Sequence, residues 1–495
     1  MTSDQEKALQ NRNLLRERLG FLFRDSAVYG GASAISKAVA LITFPILARH
    51  LGVVEYGRLD FFLFLSAFLL TCFVFGQDSA VGRFFFEYVD TRDRSQLITQ
   101  SLIFQLAGLA LLLPILWFFS EPIASLIIET PNGQRLFKIV VLLLPFSLLI
   151  NFSLNLLKYT FKRTQFLVLS LGSAIFHGAY LVSAILVFDT DTVGVLQIRL
   201  IANTIFGIVG VYFIRNWLSI PKNFDHLFGM LPFAVPYGLI CVLGTFSPTL
   251  ERFLIEEILG PNQLGEYAVA FKFALLLNML IQAFQTAWGP FALNIYKDSD
   301  ATYVFNWVLK LFTFIICVST LILTILSKSL IVTLTSGEYA GGEIVIFPLL
   351  MALTIESVGW ITEVGIGFAK RSYFMLYAEF ANYASMLLCV ILLTPIVGLL
   401  GIGISVMVGK LVKALMTYFF AQNLYPLRWD YSSVLVIIGL TFFVGFVSIG
   451  VQSVYSESAS NFVLVLGILV VLLISGFSMI NISRWREFKK LLQAK

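Results

Sequence analysis

Charge is scarce in this 495-residue chain: Asp, Glu, Lys and Arg make up 13% of it, about half the share found in soluble proteins. Hydrophobic residues reach 58% and mean hydropathy is +0.88, which excludes a water-soluble globule and requires a polytopic membrane protein. Histidine and cysteine are rarer still. The three histidines, His50, His177 and His226, are scattered over different segments, so neither a metal cluster nor a nucleophile and base pair is indicated. The four cysteines, Cys72, Cys241, Cys317 and Cys389, each lie inside an apolar run, as small buried hydrophobes rather than disulfide partners or metal ligands.

Long polar stretches are missing too. No loop exceeds about thirty residues, far less than an independent folded core needs, so the work of the protein is expected in or beside the bilayer. Asp189-Thr190-Asp191 imitates the acidic pair of a metal-dependent glycosyltransferase, but a short loop has no domain to hold a nucleotide sugar and reads as a solvated turn. Gly409-Lys410 is followed by Leu411 and lacks the upstream glycine of a phosphate loop. No enzyme, cofactor or metal is called for. The formal charge of +5 does not point to nucleic acid, because the basic residues cluster in alternate loops.

What is present is a series of apolar runs, each long enough to cross a hydrocarbon core of about 30 Å as a helix. They are phenylalanine-rich and alternate weakly, which excludes an outer-membrane barrel. About fourteen spans are expected: 27–50, 60–78, 97–119, 136–156, 165–187, 194–214, 229–253, 265–288, 303–326, 343–368, 373–394, 398–421, 433–451 and 460–481. The first is too long for a secretory signal and lacks a small-residue cleavage site, so it is expected to persist as a span. An all-α polytopic membrane fold follows. Its expected parts are a tail at 1–24, bundles at 25–222 and 223–425, a helix pair at 426–482 and a tail at 483–495.

Orientation comes from Lys and Arg. One set of loops holds Arg12, Arg16, Arg18 and Arg24, then Arg83, Arg92 and Arg94, Lys158, Lys162 and Arg163, Arg215 and Lys222, Lys370 and Arg371, and finally Arg484, Arg486, Lys489 and Lys490. The opposite set has only Arg49, Arg58, Arg135, Lys138 and Lys328. Both termini are therefore expected in the cytoplasm. An internal repeat accompanies this pattern: Tyr29-Gly30 and Leu51-Gly52 recur as Tyr237-Gly238 and Leu259-Gly260 at one constant offset, and Glu55-Tyr56-Gly57 returns as Glu266-Tyr267-Ala268. Span 1 thus corresponds to span 7 in a parallel duplication, with a cargo site expected between the halves near the midplane.

Six basic side chains interrupt the apolar runs: Lys37, Arg199, Arg252, Lys272, Lys410 and Lys413. A charge at bilayer depth costs about 2.5–3.5 kcal/mol even on the lenient insertion scale, so several of one sign imply a wet or anionic interior. Lys37 shares a helix face with Gly30 and Ser33, and Lys410 and Lys413 are three apart on one face of span 12. Two alternatives stand for Glu356, Glu363 and Glu379: balancing these lysines, or binding a coupling proton or sodium ion. Snorkelling to the interface rivals the cavity role for Lys272, an interfacial anchor rivals it for Arg252, and Arg199 reads as an anchor outright. Pro232, Pro236 and Gly238 in span 7 favour a bent or partly unwound helix.

The stretches Leu51-Gly52-Val53-Val54-Glu55-Tyr56-Gly57, Arg83-Phe84-Phe85-Phe86-Glu87 within 78–87, Leu231-Pro232 through Pro236-Tyr237-Gly238, Tyr267 to Lys272, and Ala287-Trp288-Gly289-Pro290-Phe291 come in a fairly specific order. In it the chain resembles the polysaccharide flippases of the bacterial Wzx type, within the multidrug/oligosaccharidyl-lipid/polysaccharide transporter superfamily. The resemblance implies a fourteen-helix fold of two pseudo-symmetric six-helix bundles with two C-terminal helices added, alternating access in the bacterial inner membrane and, as cargo, an undecaprenyl-pyrophosphate-linked oligosaccharide carried to the periplasmic leaflet. Membrane lipids, and other membrane proteins of polysaccharide assembly, are the implied partners. The charge argument then nominates Lys37, Arg252, Lys272, Lys410 and Lys413 for the pyrophosphate, with Arg83 and Glu87 guiding the cargo in or forming a gate pair. Sugars would meet aromatic and amide side chains. A drug or cation antiporter would want carboxylates in span 1, where Lys37 stands without one, and a polymerase would want a large outer loop that is missing.

Overall fold

The computed structural model describes residues 3–479 apart from 129, 131, 297–300, 370, 372, 455 and 456. Lys370 and the tail at 483–495, two points of the charge reading, lie outside the described residues. Among the described residues every regular element is a helix. In chain order these are α1 (Ser3–Val74), α2 (Gln77–Phe84), α3 (Thr91–Phe118), α4 (Ser120–Ile127), α5 (Gly133–Tyr159), α6 (Arg163–Phe188), α7 (Thr192–Ile214) and α8 (Asp225–Leu259). Then follow α9 (Pro261–Ile295), α10 (Ala301–Leu334), α11 (Glu343–Thr362), α12 (Val364–Phe368), α13 (Tyr373–Val397), α14 (Leu399–Leu424), α15 (Tyr431–Val454) and α16 (Glu457–Met479).

Among the described residues, twelve helical stretches are long and apolar enough to cross a membrane. One of them, Tyr29–Val74, has 46 residues and is broken at Gly52, so it can cross twice, and Ser458–Leu473 is a shorter apolar helix. The break at Gly52 is an extended step, φ 72° and ψ 176°, a region open essentially to glycine alone. Gly260, its counterpart in the repeat, takes φ 91° and ψ 175° at the start of α9. A methyl group added to either would meet nothing within 4 Å, so the glycine is demanded by the backbone and not by packing. Tyr56 and Tyr267, which follow these turns, are both buried. The duplication read from a few residue pairs is thus also a duplication of backbone geometry.

The chain divides into two compact units, Met1–Phe253 and Leu254–Lys495, so the boundary falls inside α8. In the first unit α8 runs antiparallel to the second arm of α1. The two approach most closely where Phe75 and Gly76 both take positive φ, 41° and 73°. A Cβ on Gly76 would sit 2.5 Å from the Ala234 carbonyl oxygen, and one on Gly238 would sit 2.7 Å from the Phe75 carbonyl carbon. Of the two outcomes expected for span 7, a bend or partial unwinding, the unwinding does not occur: α8 stays helical through Pro232, Pro236 and Pro248. A proline takes one donor from the helix ladder, and here that loss does not unravel the rest. Gly238 serves this crossing.

The core of the first unit gathers Leu97 and Ile98 of α3, Leu144, Leu148 and Leu156 of α5 and Phe166 of α6. In the second unit α14 lies between α11 and α13, and the place where Gly409 would carry a Cβ is occupied by Asn382 of α13, its Oδ1 at 2.5 Å. That close approach brings the following turn of α14, with its two lysines, against α13.

The two outer turns give a direct check. Gly52→Ala and Gly260→Ala are each expected to cost about 1–3 kcal/mol of strain and to lower the melting temperature of the detergent-solubilised protein. Gly30→Ala, in a helix and with nothing within 4 Å of the added carbon, is expected to leave it unchanged or raise it.

Candidate functional site

The second unit assembles four of the nominated residues into one ion network. Lys410 and Lys413 project from α14, and both Nζ atoms donate to the same oxygen, Oε1 of Glu356 on α11, at 2.9 Å each. Lys413 also pairs with Glu379 of α13. Two ammonium groups on one oxygen repel each other, and the second carboxylate offsets that repulsion. Asn382, buried beside Gly409, donates through Nδ2 to Glu379 Oε2 at 3.2 Å and so fixes the carboxylate that faces Lys413. Glu363, at the junction of α11 and α12, lies within electrostatic reach of Lys413, Glu356 and Glu379.

This cluster is not sealed. Side-chain exposure is 22% for Lys410 and 12–13% for Lys413, Glu356 and Glu379, so each retains some open surface. Counted fully ionised, three carboxylates face two ammonium groups. Both sequence alternatives for the acids therefore have a physical basis here, since Glu356 and Glu379 balance the lysines while Glu363 adds a negative charge beyond that balance.

The first unit treats its basic residues differently. Lys37 is exposed on α1, on the face that carries Gly30 and Ser33, neither of which is covered. Arg252 is fully buried: its Nε donates to Asp60 Oδ2 at 2.7 Å, its Nη1 to the Pro248 carbonyl at 2.9 Å, and its guanidinium lies 3.5 Å from the centre of the Phe64 ring. Neighbouring Glu251 accepts a 2.9 Å hydrogen bond from Ser247, so the adjacent acid and base have separate partners, as their different directions on the helix require. Thr249 donates to the Phe64 carbonyl at 3.2 Å, one turn along the same seam.

Arg83 and Glu87 form a loose pair, 3.9 Å apart and each 55% exposed, at the end of α2. The Arg83 guanidinium lies 4.7 Å from the centre of the Phe233 ring on α8, and Phe233 in turn stacks on Tyr237. Lys272 is half-buried in α9 and Arg199 half-buried in α7; neither belongs to the α14 network as described. Sequence reasoning missed Asp60 and Asn382. Asp60 was open to discovery as the one carboxylate at the mouth of span 2, facing a basic residue of span 7; Asn382 offered no signal beyond being an amide in an apolar run.

Residues 22–296, more than half of the chain, match the model of the protein family described as "Polysaccharide biosynthesis protein". Among curated proteins, the chain is 23% identical over 345 residues to "Lsg locus putative protein 1" of Haemophilus influenzae, covering 68% of this chain and 82% of that one. Among solved structures it is similar to "Lipid II flippase MurJ, inward closed conformation", with TM-score 0.71 and 17% identity over 91% of this chain and 98% of that chain. It is also similar to the inward-facing conformation of a multidrug resistance MATE family transporter of the MOP superfamily, with TM-score 0.61 and 13% identity over 80% of this chain and 94% of that one. At these identities the structural matches establish a shared fold.

The buried pair carries a stability prediction. Asp60→Ala leaves the Arg252 charge without its carboxylate and is expected to destabilise the protein by about 3–5 kcal/mol. Adding Arg252→Met is expected to recover most of that loss. Thermal melts in detergent of wild type, single and double variants measure it, and a double variant no more stable than Asp60→Ala would contradict the pairing.

Proposed function

The chain belongs to the polysaccharide biosynthesis protein family, and on that premise we propose that it is a flippase. Its cargo is an undecaprenyl-pyrophosphate-linked oligosaccharide, turned from the cytoplasmic to the periplasmic leaflet of a bacterial inner membrane by alternating access. The observation that carries the reading is the α14 network, in which Lys410 and Lys413 share one oxygen of Glu356 inside apolar spans. Carrying the cargo needs cations that can accept a polyanion and then release it. Lysines already paired to a carboxylate meet that need, because a pyrophosphate oxygen can take the place of Glu356 without leaving either ammonium group unpaired.

In this reading Lys37, exposed and on a bare helix face, adds a further donor, and Lys272 of α9 another. Arg252 takes a structural part, since its guanidinium is committed to Asp60, Pro248 and Phe64. Arg83 and Glu87 suit a cytoplasmic gate: an exposed pair of this kind contributes about 0–1 kcal/mol and is easily parted. Both termini stand in the cytoplasm. With the cytoplasm negative, moving the headgroup outward is downhill by about 2.3 kcal/mol per charge per 100 mV.

The third carboxyl group, Glu363, supports a second element of the mechanism, a coupling cation. If that element holds, collapsing the proton or sodium gradient at fixed membrane potential slows flipping in proteoliposomes. An unchanged rate removes the coupling and leaves the flippase.

Deleting the gene is expected to make cells accumulate lipid-linked oligosaccharide in the cytoplasmic leaflet, seen in lipid extracts, and wild type restores export. Lys410→Ala and Lys413→Ala each remove a charge-assisted hydrogen bond of about 1.5–3 kcal/mol and are expected to slow export about tenfold or more. Lys37→Ala lowers it less. Full rescue by all three variants would remove this site, and absence of any accumulation on deletion would remove the function.

A further inference from the structure

A polar face that keeps open surface inside the spans of the first unit lies on α5. Ser147, Asn151, Asn155 and Lys158 follow one another at helical spacing and share one face. Their side chains form a ladder: Lys158 Nζ donates to Asn155 Oδ1 at 3.5 Å, and Asn155 Nδ2 donates to Asn151 Oδ1 at 3.3 Å. At the far end Asn203 of α7 donates through Nδ2 to Ser147 Oγ at 2.9 Å. From Lys158 to Ser147 the ladder climbs about 16 Å, half the thickness of a hydrocarbon core.

The opposite faces of α5 carry the core residues Val140, Leu144, Leu148, Phe152 and Leu156, all buried. Ser147, Asn151 and Asn155 are only half-buried and Lys158 is exposed. Surfaces that suit lipid look different in this unit: α3 exposes Leu111, Leu112 and Ile115, and α6 exposes Leu186, Val187 and Phe188. Amides on a lipid-facing surface would leave donors unmet in hydrocarbon, so the α5 face is wet. An asparagine amide has two donors and an acceptor with two lone pairs. Within the ladder Asn151 engages its carbonyl, and Asn155 its carbonyl and one N–H, which leaves amide donors for a ligand.

Donors and acceptors in alternation, with one cation at one end, do not make an anion site; a phosphate would draw several Lys or Arg side chains. They match groups that both donate and accept. Neutral hydroxyls in series have that property. Resting on the flippase reading, we infer that Ser147, Asn151, Asn155 and Asn203 form the surface that binds the neutral sugars of the headgroup, separately from the lysines that take its pyrophosphate.

The test uses the purified full chain and two probes: undecaprenyl pyrophosphate without sugar, and the lipid-linked oligosaccharide extracted from the gene-deleted cells. Wild type is expected to bind the second more tightly. Asn151→Leu/Asn155→Leu is expected to bind the sugar-free lipid within about twofold of wild type and the glycan-bearing lipid about tenfold more weakly, as two lost neutral hydrogen bonds predict. Asn151→Ser/Asn155→Ser, a milder change, should fall between if the leucine pair does not fold, and melting temperatures report that. A glycan preference undiminished in folded variants, or equal loss for both probes, would overturn the assignment. Wild type binding both probes alike would overturn it too and leave the flippase standing; wild type binding neither would end both.

Discussion

A charge taken out of water has to travel with its partner, and most of the polar architecture of this chain follows from that constraint. Desolvating a carboxylate or an ammonium costs several kcal/mol even after relaxation, and Coulomb attraction repays it only at hydrogen-bond distance. The chain meets the condition in two ways. In the first unit Arg252 and Asp60 are closed off completely, with Phe64 over the guanidinium, and the result is a fixed seam between α1 and α8. In the second unit Lys410 and Lys413 are paired just as closely, yet each keeps some open surface and they share their main acceptor. The first arrangement is sealed from any outside anion, whereas the second holds its cations in a form that another anion can take over.

Backbone chemistry sets up both arrangements. The glycine turns at Gly52 and Gly260 occupy the same rare region of φ and ψ, so the two halves of the repeat begin their second arms from the same geometry. Close crossings without Cβ atoms then draw helices together where charge must be placed. Gly76 and Gly238 bring α1 against α8 on the seam that also holds Asp60 and Arg252, and Gly409 lets Asn382 lie beside the turn that carries Lys410. Small residues at helix contacts are the usual means of close approach in membranes, where apolar side chains gain nothing by leaving lipid.

Much of this was legible in residue order. Hydropathy and run length indicated an all-helical membrane chain, the paired Leu-Gly dipeptides marked turns that share a conformation, and the spacing of Lys410, Lys413 and Glu356 anticipated charges that do meet. Two matters were not legible. Whether a buried base is paired depends on which helices touch: the sequence left Arg252 between a cavity role and an interfacial anchor, and the fold sets its Nε 2.7 Å from Asp60 Oδ2. Proline in span 7 suggested a bend or partial unwinding because local rules see the lost donor, and the helix runs on without unwinding because its remaining ladder bonds hold. The α5 ladder was invisible for a related reason, since serine and asparagine at helical spacing become a surface only once the neighbouring faces are known to be core.

The sharing of Glu356 by two lysines constrains what can bind there. A neutral lipid offers nothing to replace the carboxylate, and a singly charged headgroup at most exchanges with Glu356, whose single charge already serves both ammonium groups. A pyrophosphate presents several anionic oxygens on adjacent phosphorus atoms and can satisfy both at once, after which the freed Glu356 and its neighbours Glu363 and Glu379 form a local excess of negative charge. That excess either draws in a cation or pulls the lysines back. Either response weakens the hold on the headgroup once it has arrived, and a carrier must release what it binds. On the proposed flippase reading, binding a polyanionic headgroup and letting it go both act through the same shared oxygen.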